Sequence, residues 1–131
     1  MRLATNGTRI SEVEFGDANN VAMVYACVRL LSESVASLPV RLLRITPQGR
    51  VQEIVDPLYH LLAVAPNPET TSFVYWETVA FHLSLTGNSY SEIERSQDGR
   101  PVALWPWNPR LTRALRMPNG DLKYETQSIS F

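Results

Sequence analysis

A chain of 131 residues, 44% hydrophobic and 19% charged, has the make-up of one globular domain able to bury about two-thirds of its unfolded surface. Twelve basic residues against 13 acidic leave a net charge of -1, without the basic surplus of a free-standing nucleic-acid binder. The single Cys27 excludes an internal disulfide, residues 1–10 hold no signal-peptide apolar core, and no apolar run reaches the ~20 residues that cross a bilayer, which together read as a reduced, cytosolic-type protein.

Residues 1–16 are polar and aperiodic, with Gly7 and Gly16, and read as a flexible arm or a segment ordered by a partner. Residues 17–131 then read as a single α+β domain. Asp17 is placed to cap a long helix over 18–38. Val21, Val24, Tyr25, Val28, Leu31, Val35 and Leu38 follow steps of three and four, the strongest periodic signal in the chain. Ser32 flanks this stripe, and Arg29 and Glu33, four apart beside it, can pair weakly. Cys27, set among Tyr25, Ala26 and Val28, reads as a small buried hydrophobe, because a nucleophilic thiol needs a positive neighbourhood and a base. Pro39 stops the helix.

Residues 40–45 and 50–55 read as two strands joined by a turn at Thr46-Pro47-Gln48-Gly49. Asp56 and Pro57 open a short helix over 57–64, with Asp as cap and Pro at the first helical position. Pro66 and Pro68 flank Asn67 and prevent a helix from running through. A second long helix is expected over 71–86, capped by Thr70, Thr71 or Ser72, with Phe73, Trp76, Val79, Ala80 and Leu83 on one face. Gly87 supplies a left-handed stop.

Strands over 88–95 and 101–105 form a hairpin across Gln97-Asp98-Gly99. Pro106 and Pro109 are expected to end regular structure, with Trp105 and Trp107 pointing the same way. A dry aromatic cluster is the favoured reading of those indoles. The sharper one is a surface for stacking bases, with Arg110, Arg113 and Arg116 as its basic rim. A last hairpin is expected over 111–117 and 122–126, turning at Pro118-Asn119-Gly120-Asp121.

Candidate chemistry is sparse. Glu92 and Glu94, two apart on a strand, share a face and with Asp98 could hold a divalent metal, although a solvated face is the simpler account. His60 and His82 have no Cys or carboxylate at ligand spacing. No Walker loop, GxSxG elbow, HExxH or CxxC pair occurs, and Ser37, Ser72 and Ser84 lack an acid–base neighbour in sequence. The expectation is no catalytic residue, no cofactor and no metal. The expected core is Val28, Leu31, Val35, Phe73, Trp76, Leu83 and Trp105.

Several blocks resemble a known family. The run over 24–39, VYACVRLLSESVASLP, resembles the first long helix of tailed-bacteriophage portal proteins of the HK97 type. Asp56-Pro57-Leu58-Tyr59-His60-Leu61-Leu62 resembles that family's HPLYxLL segment, with Asp in place of His. Ala65-Pro66-Asn67-Pro68, Trp76-Glu77 and Gly87-Asn88-Ser89-Tyr90-Ser91-Glu92-Ile93 resemble its PNP, WE and GNAY signature, and Val102-Ala103-Leu104-Trp105-Pro106 loosely its LxPL strand.

The resemblance implies a structural, non-enzymatic protein: one subunit of a ring, a dodecamer in the full-length protein, at the head–tail connector vertex of a virion or prophage particle. Implied partners are other portal subunits, terminase, capsid and head–tail adaptor proteins, and the double-stranded DNA that passes through during packaging and ejection, with no membrane. The chain matches the N-terminal, wing-like α+β part of such a subunit, assembled in host cytoplasm, so no DNA-contacting residue is carried over. The alternative from another class is a small nucleic-acid-binding module using Trp105, Trp107, Arg110, Arg113 and Arg116.

Overall fold

The computed structural model describes residues 18–127. The expected arm, the Asp17 cap and the terminal Ser130 and Phe131 lie outside that range. The elements run α1 (Ala18–Ala36), β1 (Leu43–Thr46), β2 (Gly49–Gln52), α2 (Pro57–Ala63), α3 (Ser72–Thr86), β3 (Tyr90–Arg95), β4 (Pro101–Trp107), β5 (Thr112–Arg116) and β6 (Leu122–Thr126). The strands pair as three separate antiparallel hairpins, β1-β2, β3-β4 and β5-β6. The fold is α+β, as expected.

Local chemistry explains the boundaries. α1 stops at Ala36, short of the expected Leu38, because its last turn tightens through Leu38 N–H to the Val35 carbonyl at 3.1 Å and Pro39 restricts the residue before it. Asp56 caps α2 by accepting the Leu58 N–H at 2.8 Å. Thr71 is the cap of α3, and Gly87 ends that helix at φ 73 with its N–H on the Leu83 carbonyl. The first hairpin is shorter than expected, although the Glu53 N–H to Leu42 carbonyl bond at 2.8 Å carries the pairing one step past β1 and β2.

One expectation fails outright: Pro106 does not end the strand. β4 runs through Trp105, Pro106 and Trp107, pairing Pro106 opposite Ser91 and Trp107 opposite Tyr90. The Leu104 N–H points away from β3 and bonds to the Pro66 carbonyl at 2.8 Å. Pro106, two residues on, has its nitrogen on that same outer edge, so no ladder donor is lost.

The helices α1 and α3 pack along their length. Tyr25 meets Phe81 edge-on with centroids 6.2 Å apart, and Arg29 lies near enough to Glu77 to feel its charge. Ascending residues of α1 therefore meet descending residues of α3, and the pair is antiparallel. α1 turns Val28, Ser32 and Ala36 inward, at 7%, 0% and 8% exposure, four residues apart and small enough for close approach. The buried Ser32 hydroxyl is satisfied by the Val28 carbonyl at 2.8 Å.

That arrangement corrects the expected core. Val28 is buried and Trp76 and Trp105 are half-buried, but Leu31 (58%), Val35 (50%), Phe73 (43%) and Leu83 (49%) are exposed, and so is Cys27. The core consists instead of Val28, Ala36, Leu61, Tyr75, Ala80, Ala103 and Leu104, together with fully buried Pro66. The periodicity of α1 located an apolar stripe correctly, but the helix packs on α3 through the adjacent face of smaller residues.

Candidate functional site

Pro66 and Asn67 form a tightly connected turn. The Pro66 carbonyl accepts the Leu104 N–H, and the Asn67 Nδ2 donates to the Leu104 carbonyl at 2.8 Å, so this turn docks on the outer edge of β4 as a third strand would. Asn67 is 4% exposed, and its Oδ1 accepts from Glu69 N–H at 3.0 Å, Thr70 N–H at 2.9 Å and the Thr70 hydroxyl at 3.0 Å. One amide thus closes its own turn and clamps it to the sheet.

Beside it, the Leu62 carbonyl at the end of α2 accepts both the Trp76 indole N–H and the Ser72 hydroxyl, each at 2.9 Å. On the same turn of α3 the Tyr75 hydroxyl donates to Ser91 Oγ on β3 at 2.9 Å. The blocks quoted above for their familiar pattern therefore meet in space. They hold α2, α3 and the β3-β4 hairpin together.

The outer face of that hairpin brings the other candidates together. Trp105 Nε1 donates to Glu94 Oε2 at 2.9 Å, and Trp107 Nε1 donates to Glu92 Oε2 at 3.2 Å. Each indole reaches the carboxylate diagonal to it, since Glu92 stands directly opposite Trp105 and Tyr90 opposite Trp107. The expected shared orientation of the two indoles and of the two glutamates is present, but the aromatic pair is an indole–carboxylate ladder rather than the expected dry cluster.

A base stacked there would sit beside two carboxylates. The expected basic rim is also broken up: Arg113 and Arg116, three apart on β5, fall on opposite faces, and Arg110 lines a cleft beside α3. Among the described residues no three His, Cys, Asp or Glu side chains gather as a metal site, and Asp98 stays in its turn.

That cleft, about 550 Å³, runs between α3 and the end of β4, with Phe81, Leu85, Pro106 and Pro109 as its apolar walls and Thr78, His82, Asn108 and Arg110 among its polar ones. His82 has its pKa lowered by burial, and its Nδ1 is buried without a hydrogen-bond partner. His60 is exposed on α2, away from His82, so the two histidines form no joint site.

A sequence model of the phage portal protein family matches residues 22–130. The chain belongs to the phage portal protein family. It is 32% identical over 109 residues to the protein BeeE of Escherichia coli (strain K12), an overlap taking in 79% of this chain and 69% of that one. It is 26% identical over 133 residues to an uncharacterized protein of Rickettsia bellii (strain RML369-C), covering 92% of this chain but only 33% of that one. The family is a structural, non-enzymatic one, in keeping with a cluster of motif residues that bonds to backbone carbonyls and helix ends. No helix among the described residues is long and apolar enough to cross a membrane.

Sequence reasoning overlooked Asn67 as the clamp and Leu104 as its target. The available signal was an amide trapped between Pro66 and Pro68, a position where Asn commonly closes a turn on itself.

Proposed function

We propose that this portal-family protein is a structural subunit of the ring at the head–tail connector vertex, through which DNA is packaged and ejected. The observation that carries the reading is the family match across residues 22–130. It is supported by the distribution of apolar surface: among the described residues 25 large hydrophobic ones are exposed, against seven buried hydrophobic ones, so most of this apolar surface is left for contacts outside the described fold. In this reading the chain supplies part of the outer α+β region as a single domain over 17–131, after an N-terminal arm. It works with identical subunits, terminase, capsid and adaptor proteins in the virion, and it has no catalytic step of its own.

Electron microscopy of the complete gene product tests this. Rings with a central channel are the expected result, and monomers alone at high concentration would refute it. The neighbouring genes give a second check, with a large terminase on one side and capsid genes on the other expected.

A further inference from the structure

The stripe on α1 has a stricter pattern than general amphipathicity requires. Val21, Val28 and Val35 stand seven apart, and Val24 and Leu31 stand seven apart three residues later, which is the a/d spacing of a coiled-coil seam, with Leu38 continuing the register just past the end of α1. Only Val28 of the six is buried; the others are 43–65% exposed. Such a seam calls for a helix groove as its partner. The molecule has one: the cleft along α3, walled by Phe81, Leu85, Pro106 and Pro109.

A chain cannot fill its own cleft with its own seam. On α1, at about 100° per residue, the seam is centred some 70° to one side of the Val28–Ser32–Ala36 contact face, which it meets at Val28. On α3 the cleft residues Thr78, Phe81 and Leu85 are centred some 50° from the Glu77–Phe81 contact with α1, the two surfaces meeting at Phe81. Because the two helices are antiparallel, those rotations carry seam and cleft to opposite sides of the helix layer. A patch on one side and its complement on the other make a heterologous contact, the kind that closes into rings.

We propose that the α1 seam of one copy seats in the α3–β4 cleft of the next copy in the ring, an inference that rests on the ring reading above. Five exposed side chains fall well short of the ~20–30 residues a side of a stable stand-alone interface. The contact is therefore weak between two free chains and strengthened by the neighbour's other contacts in an assembly.

The test mixes two variants of this chain at high concentration in sedimentation velocity. One has a polar seam (Leu31→Asp with Val35→Asp), the other a polar cleft (Leu85→Asp). All three positions are at least 43% exposed, and Leu31→Gln and Leu85→Gln serve as milder versions. The expected result is that neither variant associates alone while the mixture forms a 1:1 heterodimer. A cleft variant that still dimerises, or a mixture and wild type that both stay monomeric, overturns the inference. Microscopy of the complete gene product carrying the same changes separates the two readings. Rings that persist with a polar seam discard the seam contact alone, and seam-dependent heterodimers without rings from the wild type retain the contact while discarding the ring.

Discussion

Asn67→Ala removes four hydrogen bonds at one nearly buried position: one to the Leu104 carbonyl and three accepted by Oδ1 from Glu69 and Thr70. Each is worth a net ~1 kcal/mol, and the Leu104 carbonyl, on the outer edge of β4, is left without this donor. The Glu69 and Thr70 donors are less buried and recover part of their loss in water, so the expected destabilisation is about 3 kcal/mol. For a domain of this size that corresponds to a fall of roughly 10 °C in Tm. Thermal unfolding followed by circular dichroism reads it directly. Thr70→Val, which removes only the hydroxyl contact, should cost about 1 kcal/mol, and Asn67→Asp, which keeps the acceptor but sets a carboxylate against the Leu104 carbonyl, should fall between wild type and Asn67→Ala. An Asn67→Ala protein melting within 2 °C of wild type, a shift of roughly that size being too small for four lost bonds, would show that this turn does not clamp β4.

Trp76→Phe should cost about 1 kcal/mol by denaturant titration, because Leu62 loses the indole donor but keeps Ser72, whereas Trp76→Ala should cost about 3 kcal/mol through lost packing at a half-buried site. Gly87→Ala should lower stability by about 1 kcal/mol through left-handed strain alone, as nothing lies within 4 Å of an added Cβ; an unchanged melt would mean that the C-cap has shifted. His82, with a folded pKa below its ordinary value, leaves the unfolded chain to take up the proton first. Stability should therefore drop as pH falls below about 6.5 and change no further once the folded pKa is passed. His82→Gln should flatten the difference between melts at neutral and mildly acidic pH, and an identical pH dependence in both proteins would remove His82 from that account.

Caps and stops were legible because each depends on one or two neighbouring residues. Asp56 before Pro57 and Gly87 after α3 act where the sequence placed them, and Thr71 is the cap among the three hydroxyl residues the sequence offered. Strand limits were less legible: whether Pro106 breaks a ladder depends on which edge its nitrogen occupies, and only the pairing of Leu104 with Pro66 decides that. The core was read least well. Periodicity identifies an apolar face but not its distance from a neighbour, and α1 chose the face of Ser32 and Ala36, where two helix backbones can approach. The carboxylates of Glu92 and Glu94 were correctly placed on one face, but their indole donors come from the opposite strand at a diagonal that only the register reveals.

These outcomes divide the apolar and motif residues by task. Pro66, Asn67, Ser72, Trp76 and Tyr75 bond to groups inside the fold, so changes there are felt by folding itself. Leu31 and Val35 touch little, and at 58% and 50% exposure a polar replacement should move the melt of the isolated chain by no more than about 0.5 kcal/mol. Yet a solvent-facing row of Val and Leu at strict heptad spacing is a liability for a chain that stays alone, because it offers an open seam to any passing helix. The same row is useful to a subunit whose neighbours are copies of itself. Leu31→Asp with Val35→Asp should therefore raise the solubility of the isolated chain while leaving its melting temperature in place. A loss of several degrees in that variant would return the stripe to the folding core and remove the division between the residues that fold the subunit and those that join it to the next.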